Sequence, residues 1–368
     1  MSLLFQLHLR TREHRLKRVE AHQLPEPTEL LEAAVTVSLP LRTRFRGQTR
    51  REVMLLRGPA GWAEFGPFPE YGPEESAHWL QAALHAAWQG LGTPQREEIP
   101  INATVPAVGP AEVEPVLARY GDVDAIPAVK VKVAEPGDST QDDLARVAEV
   151  HRLLPRAGIR VDANGAWTMT QAVDQLSRIA EIAGDRLEYA EQPVAGIEPL
   201  AELREQLHSR RMPILIAADE AVRKSDDPLR VAALGAADLI VVKVPPLGGV
   251  ERALEVVARS GMPAVVSSAL DTSIGLCAGL ALAARLPELP YACGLGTVSL
   301  FPEEVVADPL VPSAGALRVP VVQSPGRGVV IRSPEPDPQL LRQHSVSAQR
   351  QAWWSGRLSA AYDVLHGS

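Results

Sequence analysis

Ala128-Val129-Lys130-Val131-Lys132-Val133 has the composition of a buried β-strand, yet it carries two lysines. The valines favour extended backbone, and Pro136-Gly137 supplies a stop. Side chains alternate along a strand, so Lys130 and Lys132 share one face and Val129, Val131 and Val133 the other. Two ammonium groups side by side in an interior are costly. They are tolerated if carboxylates or a metal site lie opposite, or if one amine is neutral and works as a base. The chain has 37 Lys plus Arg but only five lysines, Lys17, Lys130, Lys132, Lys224 and Lys243, and three of these lie in valine-rich runs. Arginine stays protonated at any working pH, whereas a buried lysine can lose its proton. The pattern therefore points to a titratable amine in a strand.

Outward from this stretch the chain alternates short apolar runs with longer amphipathic segments. The strand-like runs are 101–105, 129–133, 159–162, 187–191, 214–219, 239–244, 264–268 and 292–294. Most are spaced by roughly 24 to 30 residues, the period of one βα unit, and eight such units predict an α/β fold of the (β/α)8-barrel type. A doubly wound open sheet is the alternative, and the lack of a G-x-G-x-x-G loop after the first strand disfavours it. Before the repeat, strand-like runs at 33–41, 52–56 and 62–65 precede a helical pattern over 74–91. Residues 32–96 therefore predict an α+β capping domain, and 97–297 the barrel. Residues 1–31 read as a polar extension. The C-terminal segment 298–368 holds a strand-like run at 328–332 and a helical tail at 339–365. It is expected to return to the cap, which is then built from both chain ends.

The predicted strands end in polar residues, where a barrel places its chemistry. The third, fourth and fifth finish in Asp162, Glu191 and Asp219. Each alone could be a helix cap. Three converging carboxylates repel one another, and a hard divalent cation such as Mg²⁺ resolves that repulsion. Lys132 precedes the trio by one strand and Lys243 follows it by one. Such a set suits removal of a proton next to a carboxylate, with the enolate stabilised by a metal while an amine takes the proton.

Composition removes other classes. Of 368 residues, 46% are hydrophobic and the formal net charge is −8, so a nucleic-acid partner has no electrostatic support. Arginine-rich stretches near 10–18 and 42–51 read as solvated surface. No apolar run is long enough to span a membrane, and the start of the chain lacks the apolar core of a secretion signal. Two cysteines, Cys277 and Cys293, suit a reducing cytosol, and zinc-ligand spacing is absent. The expected partner is a small-molecule carboxylate in the cytoplasm; the sequence carries no signal for oligomeric state.

The ordered motifs K-x-K, D-x-N, E-Q-P and D-E, with a sixth-strand lysine followed by Gly-Gly, resemble the muconate-lactonising subgroup of the enolase superfamily. The resemblance implies a barrel with a cap from both termini. It makes Asp162, Glu191 and Asp219 ligands of Mg²⁺, with Mn²⁺ as a substitute, and Lys132 and Lys243 the catalytic pair. No histidine follows the seventh strand, unlike the subgroup with a His–Asp dyad. Phe45-Arg46-Gly47, Gly61-Trp62-Ala63-Glu64-Phe65, Arg160 before Asp162, Ser267-Ser268-Ala269-Leu270-Asp271-Thr272-Ser273 and Ala292-Cys293-Gly294-Leu295-Gly296-Thr297 narrow it further. These are similar to the family that dehydrates 2-succinyl-6-hydroxy-2,4-cyclohexadiene-1-carboxylate to 2-succinylbenzoate in menaquinone biosynthesis. That likeness implies a syn elimination in which Lys132 removes the proton and then protonates the departing hydroxyl. Lys243 faces the intermediate from the other side through a cation–π contact.

Lys130, Arg160, Asn164, Ser267, Ser268 and Gly294 are the expected substrate-binding residues. Ser267, Ser268 and Gly294 would offer backbone N–H groups to the succinyl carboxylate, or else mark tight packing. Arg160 would order the site or form a salt bridge inside the barrel, and Phe45 to Gly47 would form a lid. The same two lysines also suit racemisation of an N-succinylamino acid. A dipeptide epimerase is disfavoured by the neutral 293–297 stretch, and a catalytically dead barrel by the intact polar set.

Overall fold

The valine-rich runs pair as a parallel sheet with helices on its outer face. The structure, a computed structural model, describes residues 25–45, 47–223 and 228–367. The cap opens the described chain with α1 (Pro27–Glu32), β1 (Val35–Phe45), β2 (Gln48–Gly58), β3 (Gly61–Phe65) and α2 (Pro73–Leu84). A short β4 (Glu98–Pro100) leads into the barrel. There β5 (Ala103–Val105), α3 (Pro110–Leu117), β6 (Ala128–Lys132), α4 (Thr140–Leu153), β7 (Gly158–Asp162) and α5 (Met169–Ala183) follow. Next come β8 (Leu187–Glu191), α6 (Ile197–Ser209), β9 (Ile216–Ala218), α7 (Glu220–Arg223), α8 (Arg230–Ala233), β10 (Leu239–Val242), α9 (Val250–Ser260), β11 (Ala264–Val266) and α10 (Ser273–Arg285).

The seven strands are ordered β11-β10-β9-β8-β7-β6-β5. The ring is joined through Cys293 and Gly294, which make parallel bridges to Ile101 and Ser267. Cys293 N donates to Pro100 O at 2.7 Å, and Gly294 N to Val266 O at 2.8 Å. The eighth strand is thus present only as isolated bridges, and the chain runs on from it into a 3-10 turn (Thr297–Leu300) instead of an α-helix packed on the barrel. A Cβ on Gly296 would lie 2.7 Å from the Tyr120 ring and 3.1 Å from Ile101. The chain squeezes past these side chains and then sends Leu300, Phe301, Val305 and Val306 into the cap's core. That departure replaces the eighth helix.

Local sequence sets the helix starts. Ser139 and Asp142 form a capping box on α4, and Thr168 and Gln171 one on α5. On β6 the alternation places Val129, Val131 and Val133 outward into the helix-facing core. Burying each such side chain contributes about 1.5–3 kcal/mol. The barrel interior carries a smaller plug of Tyr189, Ala217, Leu239, Val241 and Val265. Strands β9 and β10 stop short of the predicted 219 and 244, because Asp219 and Lys243 already leave the ladder at the mouth. The predicted helix over 74–91 is α-helical to Leu84 and widens into a π turn over His85–Gln89.

After the barrel come β12 (Ala316–Arg318), which pairs with β4, then β13 (Val321–Ser324) and β14 (Gly328–Ile331), α11 (Pro338–His344) and α12 (Ala348–Gly367). The last helix packs on α2. Trp354 meets Phe65 edge-on at 6.0 Å and donates to Glu52 at 3.0 Å. Leu30 of α1 is buried in the same cluster, so the polar extension read over 1–31 does not run to 31; residues 1–24 lie outside the described residues.

The cap is tied to the barrel through Glu64. Its Oε2 accepts from Thr272 N at 2.9 Å and from Thr272 Oγ1 at 2.6 Å, at the start of α10. Burial and the nearby Asp271 charge push Glu64 from 4.5 up to about 8, against the pull of Arg51 and Thr272. A carboxyl with a raised folded pKa binds more protons in the native state, so its contribution to stability is lost as pH rises from 4.5 to about 8. The melting temperature is expected to fall between about pH 5 and about pH 9, and Glu64→Gln to flatten that slope. Parallel slopes in thermal melts of the two proteins would refute the assignment.

Candidate active site at the mouth of the barrel

Register builds the site. Lys132 pairs with Asp162 and Asp162 with Glu191 across β6, β7 and β8, and Glu191 pairs with Ala217, two residues before Asp219. These side chains form the layer nearest the mouth. One layer below, Lys130, Arg160 and Tyr189 lie side by side.

Each carboxylate holds a lysine. Lys132 Nζ donates to Asp162 Oδ2 at 2.5 Å and to Asn164 Oδ1 at 2.8 Å. Lys243 Nζ donates to Asp219 Oδ2 at 2.5 Å. Lys130 Nζ lies 3.1 Å from both oxygens of Glu191 and 3.4 Å from Asp162. All six are buried; the lysines retain only 7–9% of their surface.

The charges fall into a definite order. Burial would raise the Asp162 carboxyl, but Lys132 and Lys130 hold it well below the usual range. Asp219 is likewise held low, chiefly by Lys243 and Arg223 against its burial. Glu191 is pushed up to about 7 by burial and by the Asp162 charge, with Lys130 pulling the other way. Burial lowers Lys243, and Arg223 adds to that lowering against Asp219. Lys130 stays above the ordinary lysine value because Glu191 and Asp162 outweigh its burial.

Among the described residues no group of three His, Cys, Asp or Glu side chains closes to metal-binding geometry. Each of the three carboxylates instead accepts from a lysine amine. The donor set is nevertheless one a hard divalent cation takes: three carboxylates at the ends of adjacent strands, with Glu191 raised by burial and by the charges of Asp162 and Asp219.

Several residues expected to contact substrate are engaged within the protein, and Arg160 takes the salt-bridge alternative. Arg160 is fully buried below the site, where Nε donates to Glu188 at 2.6 Å and Nη1 to Asn102 Oδ1 at 2.9 Å and Ala292 O at 2.6 Å. It braces the barrel, because its position on β7 lies one inward layer beneath Asp162. The N–H groups of Ser267, Ser268 and Gly294 are consumed by bonds to Val242, Gly294 and Val266. Both serine hydroxyls point to Gly294 O, and Ser268 Oγ lies 2.7 Å from Thr297 Oγ1. These residues close the ring and leave no backbone donor for a carboxylate. Asn164, with φ 47°, turns its side chain onto Lys132, and Lys130 is fully engaged by acids. Phe45 places its ring 5.6 Å from Lys132 Nζ; Arg46, the middle of the expected lid, lies outside the described residues.

Other site residues had no assigned role in the sequence. Gln192 (φ 38°) accepts from Asp219 N and Ala221 N, both at 3.1 Å, and so fixes the backbone of that carboxylate. Arg223 donates to Asp219 Oδ1 at 3.2 Å and to the cap's Tyr71 hydroxyl at 2.9 Å. The i, i+4 spacing of Asp219 and Arg223 was the available signal. The opposite, N-terminal end of the strands has a surface cavity of 740 Å³ near Ile214, Leu215 and Asp238, without such a constellation.

Comparison with known proteins gives concordant matches. Residues 111–335 fit the enolase C-terminal domain-like family and residues 36–87 the enolase N-terminal domain-like family. The chain is similar to the o-succinylbenzoate synthase of Mycobacterium marinum, 48% identical over 338 residues, covering 92% of this chain and 96% of the relative. It is 47% identical to that of Mycolicibacterium smegmatis over 343 residues, covering 93% and 99%. Among solved structures it is similar to 2-chloromuconate cycloisomerase from Rhodococcus opacus, with a TM-score of 0.67 at 22% identity over 85% of this chain and 98% of that one. Muconate lactonizing enzyme from Pseudomonas putida gives 0.65 at 20% identity, with 85% and 98% covered. The two structures bear on the fold alone.

Proposed function

The chain belongs to the enolase superfamily and, within it, to the o-succinylbenzoate synthase family, and from that premise we propose that it dehydrates 2-succinyl-6-hydroxy-2,4-cyclohexadiene-1-carboxylate to 2-succinylbenzoate. The observation that carries the reading is the pair Lys132 and Lys243, set at the two ends of a row of three carboxylates and both buried at the mouth.

Lys132 is the base and acid. Held by Asp162 and Asn164, its amine takes the proton next to the ring carboxylate and returns it to the departing hydroxyl on the same face. Lys243 lies across the acidic row and faces the ring from the other side, where its charge opposes the negative charge that develops. Lys130 stays cationic between Glu191 and Asp162 and tempers the repulsion within the row. Phe45 sets its ring 5.6 Å from Lys132 Nζ, within cation–π range.

Asp162, Glu191 and Asp219 would hold Mg²⁺, with Mn²⁺ able to substitute. When bound, the divalent cation supplies a Lewis acid that lowers the energy of charge on the substrate carboxylate. The buried, unpaired thiols of Cys277 and Cys293 support a reducing cytoplasmic setting.

The test is turnover of the cyclohexadiene followed by ultraviolet absorbance, with Mg²⁺ present. Fast dehydration is expected. Its absence, with α-proton exchange in an N-succinylamino acid instead, would move the two lysines to racemisation.

A further inference from the structure

Tyr71 sits in the cap, packed edge-on against Phe68 at 5.7 Å and tilted against Trp79 at 6.1 Å. Its hydroxyl accepts from Arg223 Nη1 at 2.9 Å. Arg223 then forks: Nε reaches Asp219 Oδ1 at 3.2 Å, and Nη2 reaches Glu220 Oε1 at 2.5 Å. The same Glu220 oxygen accepts from Asn164 Nδ2 at 3.2 Å. Asn164 Oδ1 accepts from Lys132, and Asp219 Oδ2 from Lys243. One continuous polar network therefore runs from a cap hydroxyl to both lysines, by way of one guanidinium.

The chemistry of that guanidinium explains the connection. Its planar, five-donor fork can serve three acceptors in fixed directions, which an ammonium on a flexible stem does not do. Its side chain is 3% exposed, so these bonds form where water competes poorly. The other oxygen of Glu220, Oε2, is buried without a hydrogen-bond partner among the described residues. Both bonds thus load Oε1, the oxygen that links Arg223 to Asn164.

We propose that Arg223 and Glu220 are positioning residues that register the seated cap at the two catalytic lysines: Tyr71 orients Arg223, which fixes Asp219 on one side and, through Glu220 and Asn164, Lys132 on the other. This rests on the dehydration proposed above. When the cap shifts, the fork loses its third acceptor, and Asn164 and Asp219 lose their fixed directions together. Full activity then requires the Tyr71 end of the cap to be seated, with Tyr71 acting through Arg223.

The test uses the full-length protein with Tyr71→Phe, Glu220→Gln, Arg223→Lys and Arg223→Met. Steady-state dehydration is read beside Mn²⁺ affinity by calorimetry in the absence of substrate. Tyr71→Phe and Glu220→Gln leave Asp219 its partner, so each is expected to lower kcat by about tenfold with KM and Mn²⁺ affinity unchanged, since misorientation acts on the transition state. Arg223→Met is expected to weaken Mn²⁺ binding by about 10–100-fold, the usual effect of losing a partner that orients a ligating carboxylate. Arg223→Lys restores a charge beside Asp219 and should recover Mn²⁺ affinity while kcat stays low. Wild-type kcat in both Tyr71→Phe and Arg223→Lys would overturn the proposal. So would an equal loss of kcat and Mn²⁺ affinity in all four variants with a common fall in melting temperature. A wild type without dehydration refutes the function instead, and the Mn²⁺ pattern of the Arg223 variants then still decides whether the fork acts on Asp219.

Discussion

Lys132→Ala is expected to lower kcat for dehydration by at least ~10²–10⁴-fold, the range for loss of a general acid–base group. On the proposed mechanism the loss falls on both half-steps, because one amine would take the proton and return it. The substitution also leaves Asp162 without its 2.5 Å partner. Breaking a buried pair can destabilise a protein by about 3–5 kcal/mol. Lys130, 3.4 Å from the same carboxylate oxygen, takes up part of that charge, so the variant should still fold. Lys132→Arg separates the two roles of the residue. Arginine keeps the charge but does not give up its proton, so it should retain the melting temperature and remain inactive. Absorbance-monitored turnover with thermal melts on all three proteins checks this. More than a tenth of wild-type turnover in Lys132→Arg would remove Lys132 as the base.

Chelation is expected to be as severe. Treatment with a chelator should abolish turnover, and excess Mg²⁺ should restore it. The fold should survive, because Lys130, Lys132 and Lys243 already neutralise the acidic row. Added Mg²⁺ should raise the melting temperature by mass action, worth about 2.7 kcal/mol at a hundredfold excess over its Kd. Unchanged turnover in a chelator, with metal removal verified by elemental analysis, would exclude the three carboxylates as functional ligands.

The parts of the site that were legible in the sequence are those set by alternation and by position at strand ends. Lys130 and Lys132 inside a valine run, and Asp162, Glu191 and Asp219 closing consecutive runs, need only the two-residue period and the βα spacing. The barrel followed from the same spacing, and the cap from the strand-like runs and helical pattern that precede it. What was not legible depended on knowing which backbone groups were already bonded. Gly294 looks like a flexible residue beside a ligand, yet its N–H belongs to Val266. Arg160 shares a face with Asp162 one layer deeper, as the two-residue period requires, but its partners Glu188, Asn102 and Ala292 meet it only when separate segments converge. Gln192, Glu220 and Arg223 act through contacts that form only when separate strands and the cap converge.

The missing eighth helix constrains how this protein can be recombined. The strand it would have followed runs instead into Leu300, Phe301, Val305 and Val306, which share one apolar cluster with Leu270 and Ile274 from the barrel and with Trp354 and Leu358 from the chain's end. No cut in the sequence isolates the cap as a transferable module. A chimera that imported a relative's residues 36–87 alone would set foreign side chains against native ones across half of that cluster. A whole cap can therefore be traded only together with the segment after Gly296 and the terminal helix.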